Sequence, residues 1–188
     1  MNQGAVAFLR IAAEGRFVSP SPTDDVLIRR VQQADLLDVL RIERASFPQP
    51  WPFSAFEQSL SAPGFLVADR DNEILGYVVA DTIPNYGRDI GHVKDIAVRP
   101  DERGSGIGTR LLRQALSALA VDGAVEVKLE VRESNEGAMR LYRRFGFHPA
   151  RRVTNYYNDG EDAVVMLLNL SRWLDDGQEE ESTDAETP

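Results

Sequence analysis

The chain has 188 residues, 43% of them hydrophobic, which suits one domain with a sizeable core. It has no Cys, which removes disulfides, thiolate nucleophiles and Cys-ligated metals, and no apolar run nears the ~20 residues of a membrane span. The net charge is −9, yet residues 175–188 hold seven acids and no Lys or Arg; that stretch reads as a solvated, disordered tail, and the body lacks the basic excess of a nucleic-acid binder.

Residues 1–25 show weak periodicity and end in Ser19-Pro-Ser-Pro-Thr23, an N-terminal extension with a short helix over Ala5–Ala13. That helix carries Arg10, is followed by Glu14 and lacks a basic lead, unlike a secretion signal, so a cytoplasmic protein is expected. Val26–Arg30 is predicted as the first strand, and Leu36, Leu37, Val39, Leu40 and Ile42 predict an amphipathic helix over Asp35–Arg44. The prolines of Phe47-Pro-Gln-Pro-Trp-Pro52 forbid regular structure there. A second short helix, Ser54–Ser61, stops at Pro63-Gly64, and Phe65–Asp69 with Ile74–Asp81 forms a hairpin around Asp71-Asn72.

A strand over His92–Val98, a helix over Gly106–Val121 and a strand over Val125–Val131 make a β-α-β unit with a parallel, right-handed crossover. Ser134 is placed to N-cap the next helix, whose Ala138, Leu141, Tyr142 and Phe145 share a face before Gly146 ends it. Strands near Val153–Tyr157 and Ala163–Asn169 complete the sheet. The fold class is α/β with a mixed sheet and helices on both faces. The domain is expected to span 26–172, with an acidic tail over 173–188.

The chemistry centres on Arg103-Gly-Ser-Gly-Ile-Gly-Thr109, a glycine-rich turn between a strand and a helix start. Its unpaired N–H groups and the positive helix end suit phosphate oxygens. Glycines at 104, 106 and 108 do not fit the dinucleotide spacing G-x-G-x-x-G, and no Lys stands where a Walker A loop needs one. Strand alternation puts Glu126, Lys128 and Glu130 on one face, with Glu130 near the strand end where a carboxylate can take a proton.

Arg103-x-x-Gly106-x-Gly108 resembles the acetyl-CoA signature of the GCN5-related N-acetyltransferases, the GNAT superfamily. The segment from Leu129 to Phe147, with Leu-Glu-Val-Arg, Ser134-Asn135, Leu141-Tyr142 and Gly146-Phe147, is similar to the RimI-type and archaeal N-terminal acetyltransferases. Asn155-Tyr-Tyr-Asn-Asp-Gly-Glu-Asp-Ala-Val-Val-Met166 resembles their closing hairpin. The resemblance implies a seven-stranded sheet that splays between its fourth and fifth strands. It implies acetyl-CoA as cofactor, bound by the backbone of Ile96, Ala97 and Val98, by Arg103, Gly104, Ser105, Gly106, Ile107, Gly108 and Thr109, and by Asn135 and Tyr142. Glu130 is implied as general base, Tyr142 as general acid, and the Val98 N–H as donor to the thioester oxygen.

His92 shares simple strand parity with Ile96 and Val98, and in archaeal relatives the matching His lies near the matching Glu. That pairing allows a proton relay or an opportunistic metal contact; a His and a Glu alone make no full zinc site, so the metal contact is the minor reading and no metal is expected. Freeing an α-amine with a pKa near ~8 costs roughly 1 kcal/mol at neutral pH, against about 4 to 5 for a lysine amine, which favours a protein or peptide N-terminus as acceptor. The RimI likeness adds a ribosomal protein terminus as one candidate. Phe47, Gln49, Trp51, Tyr156 and Tyr157 are the expected acceptor contacts, although such aromatics also serve as rim packing. Gln49 replaces a carboxylate and Trp51 a Tyr of archaeal relatives, leaving the preferred first residue open. A small-molecule amine or lysine acetyltransferase and a non-catalytic acyl-CoA-binding module are the alternatives. The expected assembly is a monomer or weak homodimer.

Overall fold

The computed structural model describes residues 25–175. The N-terminal extension, save residue 25, and the tail beyond residue 175 lie outside the described residues. In order, the elements are β1 (Leu27–Arg30), α1 (Leu36–Ser46), α2 (Phe53–Gln58), β2 (Leu66–Arg70), β3 (Glu73–Ile83) and β4 (Ile90–Val98). They continue with α3 (Ile107–Val121), β5 (Glu126–Arg132), α4 (Glu136–Arg144), β6 (His148–Val153) and β7 (Ala163–Asn169). One seven-stranded sheet runs β1-β2-β3-β4-β5-β7-β6, antiparallel except at β4–β5. The β2–β3 hairpin turns on Asp71 and Asn72 with φ of 53° and 68°, the left-handed pair that a tight two-residue turn demands.

Two apolar layers sandwich the sheet. Leu36, Val39 and Leu40 of α1 and Phe56 of α2 pack on Tyr77 and Val79. On the other face Leu111, Leu112 and Leu116 of α3 pack with Val78, Val127 and Leu129, and Tyr142 of α4 joins them. Each fully buried leucine contributes at most about 1.5–3 kcal/mol of apolar transfer free energy. The expected α/β class with helices on both faces holds.

The parting of the sheet is what positions the site. β4 stays paired to β3 along its length, but it meets β5 only from Ile90↔Glu126 to Val93↔Leu129. Beyond Val93 the two strands diverge, so the splay sits between the fourth and fifth strands. Lys94 marks the divergence: Val79 faces Asp95 while Ala80 faces Val93, which leaves Lys94 as the extra residue of a bulge. A bulge sharpens local twist and redirects its strand.

Four expectations are corrected. The penultimate strand is His148–Val153, not Val153–Tyr157; as an almost wholly exposed edge strand it needs no apolar alternation, and Pro149 sits at an irregularity that an edge tolerates. Ser134 does not cap α4; Asn135 does, its Oδ1 accepting the Ala138 N–H at 3.0 Å. The tail does not start at 173, because residues 170–175 are helical and Trp173 stacks on Phe145 at 6.4 Å. The second helix also ends early, at Gln58, the rest of Ser54–Ser61 forming a turn.

Candidate active site

The gap between β4 and β5 opens into a cleft of about 1470 Å³, open to solvent rather than enclosed. Its floor is backbone. Arg99 N–H donates to Leu75 C=O, so Arg99 and Leu75 form a hydrogen-bonded pair of the β3–β4 ladder. Antiparallel pairs alternate, which makes Val98 and Ile96 non-bonded to β3 and turns their N–H and C=O groups toward the gap. Ala97, expected alongside them, directs its polar groups to Tyr77 instead. Arg103 Nε donates to the Val98 carbonyl at 3.1 Å and its guanidinium reaches Ser46 Oγ at 3.0 Å, tying the glycine turn to β4 and α1.

At one end of the gap the chain turns through Gly104 and Gly106, with φ of 82° and 95°. Any other residue would strain there, and the turn aims the first N–H groups of α3 into the cleft. Gly106 is the N-cap, offers no side chain to those donors, and lines the cleft with Ile107, Gly108 and Thr109. Such donors suit an anionic phosphate chain, and the unpaired edge of β4 suits an extended arm laid beside it. Asn135 lines the same space while capping α4. Ser105 does not: its hydroxyl donates back to the Glu102 carbonyl at 2.6 Å.

Glu130 stands on β5 at the mouth of the gap. His92 Nε2 lies 2.6 Å from Glu130 Oε2, and Lys128 Nζ lies 3.5 Å from Oε1. The His92 contact, with Lys128 behind it, outweighs burial and holds the Glu130 carboxyl below the usual carboxylate range. His92 reaches this position because the Lys94 bulge resets strand parity. Paired residues share a face, so His92 lies with Asp81, Lys128 and Asp95, not with Ile96 and Val98 as simple alternation predicts. Among the described residues no cluster of three His, Cys, Asp or Glu forms around this pair.

Tyr142 is 6% exposed and packs on Phe147 at 5.9 Å, yet it borders the cleft. Burial, helped by Asp95 and Tyr157, pushes its hydroxyl well above the ordinary phenol range, so it keeps its proton. The two loops expected to meet the acceptor flank Glu130. Phe47, Gln49 and Trp51 line one wall, and Trp51 also packs at a tilt against buried Phe56, ring centres 5.6 Å apart. Tyr156 and Tyr157 line the other as a T-shaped pair 5.1 Å apart. Their hydroxyls are both raised, first by burial, with the charge of Glu130 contributing to each.

Sequence reasoning missed the residues that hold these walls. Arg132 lies 3.9 Å over the Tyr157 ring and pairs with Asp159 at 2.9 Å and Glu161 at 2.6 Å. Glu161 also accepts the Ser134 N–H at 2.9 Å, which fastens the Tyr156–Tyr157 loop to the end of β5. Glu43 accepts the Trp51 N–H at 2.7 Å from within the apolar layer. One signal was available: Glu43 follows Val39 by four residues and Leu40 by three, an acid on the buried face of its helix.

A mixed sheet parted at its single parallel pair, with phosphate-ready amides at one end and a held carboxylate beside the gap, defines a coenzyme A-dependent acyltransferase. The Acetyltransferase (GNAT) family model matches residues 36–147. An N-alpha-acetyltransferase of Sulfolobus acidocaldarius is 37% identical over 155 residues, covering 76% of this chain and 92% of the relative. A putative ribosomal protein bS18-alanine N-acetyltransferase of Bacillus subtilis is 33% identical, covering 77% of this chain and 95% of its own. The crystal structure of Ard1 from Thermoplasma volcanium superposes with a TM-score of 0.71 at 26% identity, over 77% of this chain and 97% of that one. The chain belongs to the GNAT family. It is an acetyltransferase whose acetyl donor is acetyl-CoA. No helix among the described residues is long and apolar enough to cross a membrane.

Proposed function

We propose that the chain works in the cytoplasm, transferring acetyl from acetyl-CoA to the α-amine of a protein or peptide N-terminus, a ribosomal protein among the candidates. The observation that carries this reading is the site of Glu130: a carboxylate fixed by His92 and set between two aromatic walls of an open cleft. An open groove admits a chain end that continues outward, whereas a free small amine is better held by an enclosed pocket. The relatives from Sulfolobus acidocaldarius and Bacillus subtilis, named for α-amine and alanine N-acetylation, support the same acceptor.

The Gly104–Thr109 amides and Asn135 would hold the cofactor, which supplies an acetyl thioester when bound. The Val98 N–H, turned to the gap, donates to the oxygen that gains charge as the amine attacks. Glu130 takes the proton that the amine sheds as the C–N bond forms, through a water. Tyr142 gives its hydroxyl proton to the sulfur as the C–S bond breaks. His92 keeps Glu130 charged and oriented. Peptides varied at their first two residues, incubated with acetyl-CoA and read by mass spectrometry, test the acceptor: acetyl on the α-amine is expected, and acetyl confined to lysine side chains or small amines overturns the reading. Glu130→Gln should lower kcat on the order of 10²-fold or more, with acetyl-CoA affinity retained. An unchanged rate removes Glu130 from the base role.

A further inference from the structure

One polar cluster beside the cleft has no part in moving the acetyl group: Glu43 of α1, Tyr77 of β3 and Asp95 of β4. Glu43 is 1% exposed and Tyr77 0%, both inside the apolar layer under α1. Tyr77 Oη lies 2.5 Å from Glu43 Oε2 and 2.8 Å from Asp95 Oδ2. A phenol owns one hydrogen and can donate to only one of two carboxylates. The second contact therefore needs a proton on a carboxyl, donated to the phenol oxygen. Glu43 accepts the backbone N–H of Trp51 at Oε1, 2.7 Å away, and Asp95 accepts the backbone N–H of Ile96; the proton is assigned to Asp95, whose carboxyl is raised by burial and by the Glu43 charge.

We propose that Glu43, Tyr77 and protonated Asp95 form a positioning relay, in which Asp95 secures Tyr77 against Glu43, and Glu43 holds Trp51 and its loop at the acceptor end of the cleft. The relay runs from the cofactor strand to the acceptor wall, and its functional half rests on the acceptor assignment above. Asp95 follows the Lys94 bulge at the point where β4 leaves β5, so the same irregularity that opens the gap delivers Asp95 to Tyr77.

The relay is sensitive to pH. The Asp95 carboxyl is pushed up to about 8, first by burial and then by the Glu43 charge. The groups bearing on it are Glu43 from α1, Tyr77 from β3 and Tyr142 from α4, with His92 and Glu130 on the same face of β4 and β5. α2 brings apolar Phe56 against Tyr77. Tyr77 stays protonated, its hydroxyl raised far above the phenol range by burial and both carboxylates. Once Asp95 loses its proton, two carboxylates face one phenol hydrogen, one contact breaks and the Trp51 loop loosens.

The test compares wild type with Asp95→Asn and Glu43→Gln. An Asn amide donates at every pH, so the ratio of wild-type to Asp95→Asn peptide KM should rise on the order of threefold from about pH 7 to about 9.5. Taking the ratio cancels titration of the peptide amine. The protein has two tryptophans, so in a Trp173→Phe background the emission of Trp51 reports the loop directly, without acetyl-CoA or peptide. That emission should titrate near pH 8 with Asp95 in place, move to lower pH by more than one unit in Glu43→Gln, and stay flat with Asn at 95. A titrating emission without any peptide acetylation leaves the relay standing and removes the acceptor reading. Emission and KM ratio both flat across this range, or an unmoved midpoint in Glu43→Gln, overturn the relay.

Discussion

Glu130 and Tyr142 are tuned in opposite directions by what surrounds them. His92 at 2.6 Å keeps Glu130 a carboxylate, and burial keeps Tyr142 a phenol. Each would therefore start turnover in the protonation state that its proposed task needs. Tyr142→Phe removes the donor but keeps the ring that packs on Phe147. We expect kcat to drop on the order of 10²-fold with peptide KM little changed. An acetyl donor with a more acidic thiol should lose far less, because its sulfur leaves without a proton; equal losses, or a rise in KM alone, would assign Tyr142 to packing. The sequence made both residues legible through their motif. It hid Glu43, Asp95 and Arg132, whose importance lies in contacts across 18 to 34 positions of chain. An acid on the apolar face of a helix was the one trace that such a contact leaves in a sequence.

At the scale of elements, two irregularities build the site: the left-handed turn before α3 and the bulge in β4. Glycine spacing announced the first. Gly106 at φ 95° is the N-cap of a 15-residue helix, and its conformation sets where the first N–H groups of that helix point. Gly106→Ala should cost about 1–2 kcal/mol of stability, measured by urea unfolding, and weaken acetyl-CoA binding in calorimetry while leaving the peptide-side walls intact. Binding at wild-type strength would mean that the turn tolerates another path for its amides. The bulge left a fainter mark: Val93-Lys-Asp-Ile96 sets two polar residues side by side, a single break in alternation that simple parity counting passes over. Its cost was the wrong face for His92 in a parity argument. β6 was misplaced for the converse reason: an edge strand buries almost nothing, so hydrophobic alternation has nothing to report.

For the whole molecule, the sheet is stable where both faces are covered and functional where it is parted. Two apolar layers hold β3, yet the second layer encloses Glu43 and borders Asp95, groups that a core built for stability alone would exclude. Asp95 makes the cost measurable. Its carboxyl titrates near 8 when folded and near ~4 when unfolded, so between those values the native state holds a proton that the unfolded chain has released. Its contribution is thus fullest below pH 4 and is lost as pH rises through about 8, at a rate of at most about 1.4 kcal/mol per pH unit. Asp95→Asn carries no such proton, and its amide can still meet Tyr77. The variant should therefore gain on wild type in urea unfolding as pH climbs from about 5 to 8, and the gap should level off beyond that. A gap that stays constant over this range would mean that Asp95 is charged in the folded protein, with Tyr77 bound to one carboxylate only. A gap that widens as predicted would show stability given up to keep the cofactor strand and the acceptor wall joined by a proton.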